Sequence, residues 1–123
     1  MKTLIYLIPF ILLNGTTTLK TDENTLDTQC YWEETFGNNL SGTRGDACGS
    51  DSSLRLYFTN PYSYKVRVAF YLRDEYGNLN PNGPWVVSVN PGRRTNHHKC
   101  YSNGRYIVLA ARADSRCRFP DLN

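Results

Sequence analysis

The sequence predicts a mostly β domain, a small antiparallel β-sandwich stapled by two disulfides. Three features carry that expectation. Apolar residues alternate with polar or cationic ones from Tyr64 to Arg73, turn-forming Gly, Pro and Asn residues recur at short intervals, and four cysteines follow an apolar leader. The 123 residues are 40% hydrophobic and 20% charged, which is the composition of one globular domain and excludes a disordered tail. Such a length also excludes a two-domain cofactor enzyme.

The leader comes first along the chain. Met1-Lys2-Thr3 is a short basic start, and Leu4–Leu13 is an uncharged ten-residue run. That is half the roughly 20 apolar residues a membrane span needs, and it suits an export signal. We assign residues 1–19 to the signal, with cleavage between Gly15 and Leu19, and expect a secreted or periplasmic protein with no transmembrane segment. The cysteines agree with that compartment: Cys30, Cys48, Cys100 and Cys117 all lie beyond the signal and read as two disulfides. Three pairings are open, and spacing favours Cys30 with Cys48 and Cys100 with Cys117. Zinc is excluded on spacing, since no C-x2-C or C-x4-C pair exists and the only histidines are adjacent. No metal or cofactor is expected.

Residues 20–53 form an acidic arm, with seven acids against two bases; from Leu54 to Arg118 there are eleven bases against three acids. The arm and the strands of 54–123 are expected to form one domain whose opposite charges attract. Gly37–Ser53, rich in Gly, Ser, Asn and Asp, reads as a long loop pinned by Cys48, and a short helix over Asp22–Phe36 is one reading of the segment before it. Leu54, Leu56 and Phe58 alternate with Arg55, Tyr57 and Thr59, and Asn60-Pro61 is expected to join this strand to Tyr64–Arg73 as a hairpin. Further turns fall at Asp74–Asn78 and Pro81–Pro84. Trp85, Val87 and Val89 form one face of a third strand, stopped by Asn90-Pro91-Gly92; Arg94–Tyr101 continues extended. Arg105–Ala113 is apolar on both faces at its middle, as a central strand would be. The Pro-Gly turn, the strand after it, the step Asn103-Gly104-Arg105-Tyr106 and the long apolar strand together resemble immunoglobulin-like and fibronectin-type sandwiches. The likeness spans some thirty residues, lacks the Cys…Trp…Cys order of true immunoglobulin domains, and transfers no functional residue.

The chemistry-bearing residues point to recognition. On a strand, His97 and His98 face opposite ways and cannot converge on one metal or phosphate. The pairs Glu33-Glu34 and Asp74-Glu75 are neighbours in sequence, which does not set two carboxylates across a glycosidic bond. No nucleophile elbow, zinc-protease motif, phosphate loop or EF-hand string is present. Arg44-Gly45-Asp46 is too short a string to read as an integrin ligand, Asp46 and Asp51 are the weak calcium candidates of the loop, and Asn39-Leu40-Ser41 is a glycosylation acceptor in a eukaryotic secretory pathway. The expected working surface is basic and aromatic: Lys65, Arg67, Tyr71 and Arg73 on one side of a strand, with Arg93, Arg94, His97 and His98 after the Pro-Gly turn. The small net charge argues against nucleic acid. The leading reading is a non-catalytic binding or adhesion-type module for a glycan or another exported protein. The alternatives are a small secreted hydrolase or toxin of ribonuclease type, using one His with Glu33 or Glu34, and a protease-inhibitor-type domain presenting Gly37–Ser53.

Overall fold

Period-two alternation becomes strands in a computed structural model that describes residues 29–123, of which Tyr31–Asn123 pack as one unit. The expected signal over 1–19 and the arm up to residue 28 lie outside the described residues. Among the described residues seven strands follow in order: β1 (Trp32–Glu34), β2 (Leu40–Arg44), β3 (Leu54–Thr59), β4 (Val66–Asp74), β5 (Trp85–Val89), β6 (Arg94–Lys99) and β7 (Ser102–Arg112). They form two antiparallel sheets, a four-stranded one in the order β1-β7-β4-β5 and a three-stranded one in the order β2-β3-β6. The described residues contain no helix and no segment long and apolar enough to cross a membrane as one. Of the proposed helix over Asp22–Phe36, the described part carries β1 instead, and the long loop Gly37–Ser53 contains β2, paired to β3 from Leu40↔Phe58 to Arg44↔Leu54.

One apolar cluster draws on both sheets. Leu40, Leu54, Leu56 and Phe58 of the smaller sheet meet Val66, Val68, Phe70, Leu72, Val89, Val108 and Ala110 of the larger, all buried. Burying an aliphatic or aromatic side chain contributes about 1.5–3 kcal/mol, so this cluster is the main source of cohesion. The larger sheet is covered on its other face too. Ala69, Tyr71 and Leu109 are buried there beneath Phe119 and Leu122 of the C-terminal segment, with Leu79, Tyr31 and Ile107 alongside. The alternation in β4 therefore marks two covered faces, where sequence reading placed one of them in water.

The expected hairpin between the first two long strands does not form. β3 pairs with β2 and β6, β4 with β5 and β7, so Asn60-Pro61 carries the chain from one sheet to the other. Asn60 is fully buried at this crossing. Its N–H donates to Arg93 O (2.9 Å) and its C=O accepts from Gly92 N (2.9 Å). Its Nδ2 donates to Tyr64 O (3.0 Å) and Val89 O (2.9 Å), and its Oδ1 accepts from Tyr62 N (2.7 Å).

The expected cysteine pairing is also corrected. Cys48 bonds Cys100, with Cα atoms 5.5 Å apart, and Cys30 and Cys117 are likewise oxidised. Register explains the choice. Leu54 lies opposite Lys99, which brings Cys100 to the start of β3. The turn Ala47–Ser50 is folded onto that same point, with Ala47 N donating to Ser53 Oγ (3.0 Å). Proximity in sequence is irrelevant once the ladder is set.

Two stability measurements check this frame. Asn60→Ala removes three side-chain hydrogen bonds from a dry site and is expected to cost about 3 kcal/mol in denaturant unfolding. Asn60→Asp, which turns an acceptor toward two carbonyls, should cost more, and equality with the parent would refute the crossing. The Cys48–Cys100 bond spans 52 residues, and its loss in a Cys48→Ser, Cys100→Ser double variant is expected to lower stability by about 4 kcal/mol from loop entropy.

Candidate functional site

β4 is longer than its edge neighbour. Pairing with β5 ends at Phe70↔Trp85, while β4 runs on through Tyr71, Leu72 and Arg73 to Asp74. The chain before β5 turns away there: Gly83 N donates to Asn80 O (3.0 Å), and Gly83 has φ +97°, a left-handed backbone suited to glycine. The result is a notch in the edge of the larger sheet and a cavity of about 480 Å³. Phe70, Leu72, Trp85 and His97 line it from the two sheets, the loop Leu79–Pro84 forms one wall, and Phe119–Asn123 another.

Backbone direction follows from the hydrogen bonds on either side. Lys65 O accepts from Ala113 N, so the odd-numbered residues of β4 address β7. Asp74, on the other parity, exchanges bonds with Asn78 O and Gly77 N on the β5 side, and Tyr64 O meets Asn60 Nδ2 beside Val89 O. Leu72 shares the parity of Phe70, the last residue paired with β5, so its N–H and C=O are directed to that side, where Gly83 would stand had β5 continued; the register to β7 shifts only beyond Leu72, between it and Asp74. Among the described residues, no hydrogen bond joins either group to the loop.

The aromatic lining is ordered. His97 lies on the inward side of β6, its ring stacked on Trp85 at 4.5 Å and 12°, and both lean on Phe70 at 5.9 and 5.7 Å. Trp85 keeps 40% of its surface exposed. Burial, followed by the charges of His98 and Lys99, holds His97 down at about 4. At neutral pH its ring is therefore uncharged, an aromatic surface with one acceptor nitrogen.

The eight residues expected to form a working surface fall in several places. Arg67 donates to Cys117 O and sits 5.1 Å from the Phe119 ring. Tyr71 is buried, its hydroxyl donating to Pro120 O (2.6 Å), and Arg73 donates to Gly77 O (2.8 Å). These three hold the C-terminal segment and the β4 turn. Lys65 and Arg93 are exposed, Arg94 lies 4.3 Å over the Tyr57 ring, and His98 faces outward beside the Cys48–Cys100 bond. Only His97 and Tyr71 border the cavity. Cys48, His98 and Cys100 are the one cluster of metal-ligand type among the described residues, and its sulfurs are spent on each other.

The tripeptide Arg44-Gly45-Asp46 is tied down at both ends. Arg44 donates to Ser52 O and Ser102 O, while Asp46 accepts from Thr43 Oγ1 (2.8 Å), Arg55 Nε (3.2 Å) and Tyr57 OH (3.4 Å). The Thr43 hydrogen bond, with Arg55 behind it, lowers the Asp46 carboxyl below its ordinary range. Neither imidazole is bonded to a carboxylate among the described residues, although Asp121 shares the cavity wall with His97.

The glycan reading of the sequence requires exposed aromatics among Tyr57, Tyr71 and Trp85, of which Trp85 is exposed and Tyr71 buried; the loop Leu79–Pro84 as a wall and Phe119–Asn123 altogether were missed. The available signal was small: an aromatic directly after a Pro-Asn-Gly-Pro turn, and a Phe-Pro step just past the last cysteine. Comparison with known proteins finds no matching family model, no similar curated sequence and no similar solved structure.

The acid limb of stability reports on His97. Unfolded, it takes up a proton near its ordinary 6.5; folded, only near 4. Folding is therefore undiminished by this group above about pH 6.5, loses stability as pH falls from there to about 4, and changes no further below. Proton NMR should show one imidazole titrating near 4, and His97→Phe should flatten stability over that window. A His97 midpoint at 6 or above would refute the packing described.

Proposed function

We propose that this chain is an exported, non-catalytic binding module that takes a segment of another exported protein into the notch between β4 and β5. The two sheets are read as a sandwich, immunoglobulin- or fibronectin-like in outline, in support of which both contribute to one core and a crossing connection leads from β3 to β4. Export is supported by the apolar leader and the two disulfides.

The observation that carries the binding reading is the juxtaposition of a strand residue, Leu72, that lies beyond the β4–β5 pairing with an aromatic cavity of about 480 Å³. Ligand sites are typically concave, mostly apolar and furnished with a few convergent polar groups, and their volumes run from about 300 to 1,000 Å³. Here the apolar part is Phe70, Trp85 and His97, and the polar part is the Leu72 backbone with Lys99 and Asp121 at the walls.

A glycan is the second reading, favoured by Trp85. A partly exposed indole beside Asn80 and Asn82 offers a flat apolar face with hydrogen-bonding groups around it, which suits a sugar ring.

Tryptophan fluorescence of the oxidised chain decides between them. A capped pentapeptide of four serines around a central phenylalanine is expected to shift the emission in a saturable way, and cello- and chito-oligosaccharides are not. Trp85→Ala should weaken the peptide at least tenfold, about 1.4 kcal/mol. Saturation by a sugar alone would transfer the site to the second reading; silence toward both, with Trp85→Ala equal to the parent, would remove the site.

A further inference from the structure

We infer that the notch recognises its ligand through the main chain, by adding a single extended residue to β4 opposite Leu72, with that residue's aromatic side chain laid against His97 and Trp85. This deepens the protein-segment reading of the same cavity and rests on it.

The vacancy has the size of one residue. Phe70 is paired with Trp85, and Asp74 exchanges both of its bonds with Asn78 and Gly77. Leu72 alone stands between them with its N–H and C=O aimed into the cavity. Among the described residues neither group has a hydrogen-bond partner in the loop, and Leu72 as a residue is 5% exposed. Buried backbone donors and acceptors are nearly always paired, and leaving one unpaired costs about 1–3 kcal/mol. The group that satisfies both at antiparallel geometry is a peptide residue, whose own N–H donates to Leu72 O while its C=O accepts from Leu72 N. One trans amide cannot do this, because its N–H and C=O point opposite ways. A residue flanked by two amides can.

The ladder also fixes which way the side chain goes. Directly opposed residues of an antiparallel pair place their side chains on the same face of the sheet. Leu72 and Phe70 face the core between the sheets, as does the Trp85 ring that meets Phe70. A ligand residue opposite Leu72 therefore sends its side chain toward the stacked His97 and Trp85 rings. With His97 uncharged, that surface offers a flat apolar group such as Phe or Tyr a pair of rings to pack on. Space is present on that side: Leu72, Gly83 and Trp85 all line the cavity of about 480 Å³. The occupant is thus a bend or loop of a partner chain that offers one extended aromatic residue, since β5 and the Asp74–Asn78 turn close the edge on both sides.

Amide hydrogen exchange and a modified probe test this. In the free protein, the Leu72 amide is expected to exchange at least tenfold faster than those of Phe70 and Val68, although all three lie within β4. The capped Ser-Ser-Phe-Ser-Ser peptide should slow it at least tenfold. The same peptide methylated at the phenylalanine nitrogen loses the donor and should bind at least tenfold more weakly, as should the version with alanine in place of phenylalanine. Equal binding of the methylated and parent peptides, with Leu72 exchange unchanged, overturns main-chain docking and leaves the cavity as a side-chain site. Absence of binding by any peptide overturns the protein-segment reading as well, and saturation by an oligosaccharide alone assigns the Leu72 groups to hydroxyls.

Discussion

The buried amide of Asn60 is the interaction on which the remaining architecture depends. At one point in the chain, β3 leaves the smaller sheet, β4 enters the larger, and the ends of β5 and the start of β6 arrive from the other side. Five hydrogen bonds to a single fully buried residue fix all four. Asparagine suits the position because its side chain carries donors and an acceptor on one short arm, and two carbonyls plus one N–H must be met at once. A hydrophobic residue would leave those three groups without this partner, which is costlier than the burial it would add. The network continues outward. Tyr62, whose N–H is held by Asn60, donates its hydroxyl to Glu34 of β1 (2.5 Å), and Trp32 Nε1 donates to the same oxygen (2.8 Å). Burial and the neighbouring carboxylate push the Tyr62 hydroxyl up to about 12, which keeps it a donor at any ordinary pH. A three-residue edge strand is thereby held to the sheet by side chains as well as by its ladder.

Several elements were legible because they depend on local pattern. The strand cores around Leu54–Thr59, Val66–Arg73, Trp85–Val89 and the long apolar run to Arg112 follow from alternation and punctuation by Gly, Pro and Asn. The inward set Val66, Val68, Phe70 and Leu72 follows from the same parity. What alternation cannot supply is the identity of a strand's neighbour. Asn60-Pro61 has the composition of a hairpin turn, and it is a crossing between sheets because Asn60 is consumed by groups from β5 and the β5–β6 turn, distant in sequence. The cysteine pairing failed for the same reason: it is set by the β3–β6 register and not by loop length.

The candidate site was less legible than the fold. Its residues come from β4, the loop before β5, β6 and the C-terminal segment, and no one of these carries a motif. Sequence reading favoured a basic aromatic face on β4, chemically sensible for a strand with one side in water. The larger sheet has no such side there, since Phe119 and Leu122 cover it. Arg67 and Tyr71 turn their polar ends to the carbonyls of Cys117 and Pro120, so residues chosen for their exposed charge and ring became the anchors of a cavity wall.

That exchange of roles explains how so small a chain can enclose a cavity. A sheet of this size, covered on one face only, presents a flat surface to solvent. Covering the second face with a returning segment, and starting β5 only at Trp85 opposite Phe70, leaves a space bounded on several sides by strands and loops of the described residues. The lining must then be apolar enough to tolerate partial dryness, and His97 meets that demand by remaining uncharged on Trp85. Among the described residues no hydrogen bond joins the two backbone groups of Leu72 to the loop. On the main-chain docking proposed above, such a site selects for a backbone before it selects for a side chain, and the aromatic stack beside it then discriminates among the backbones that fit.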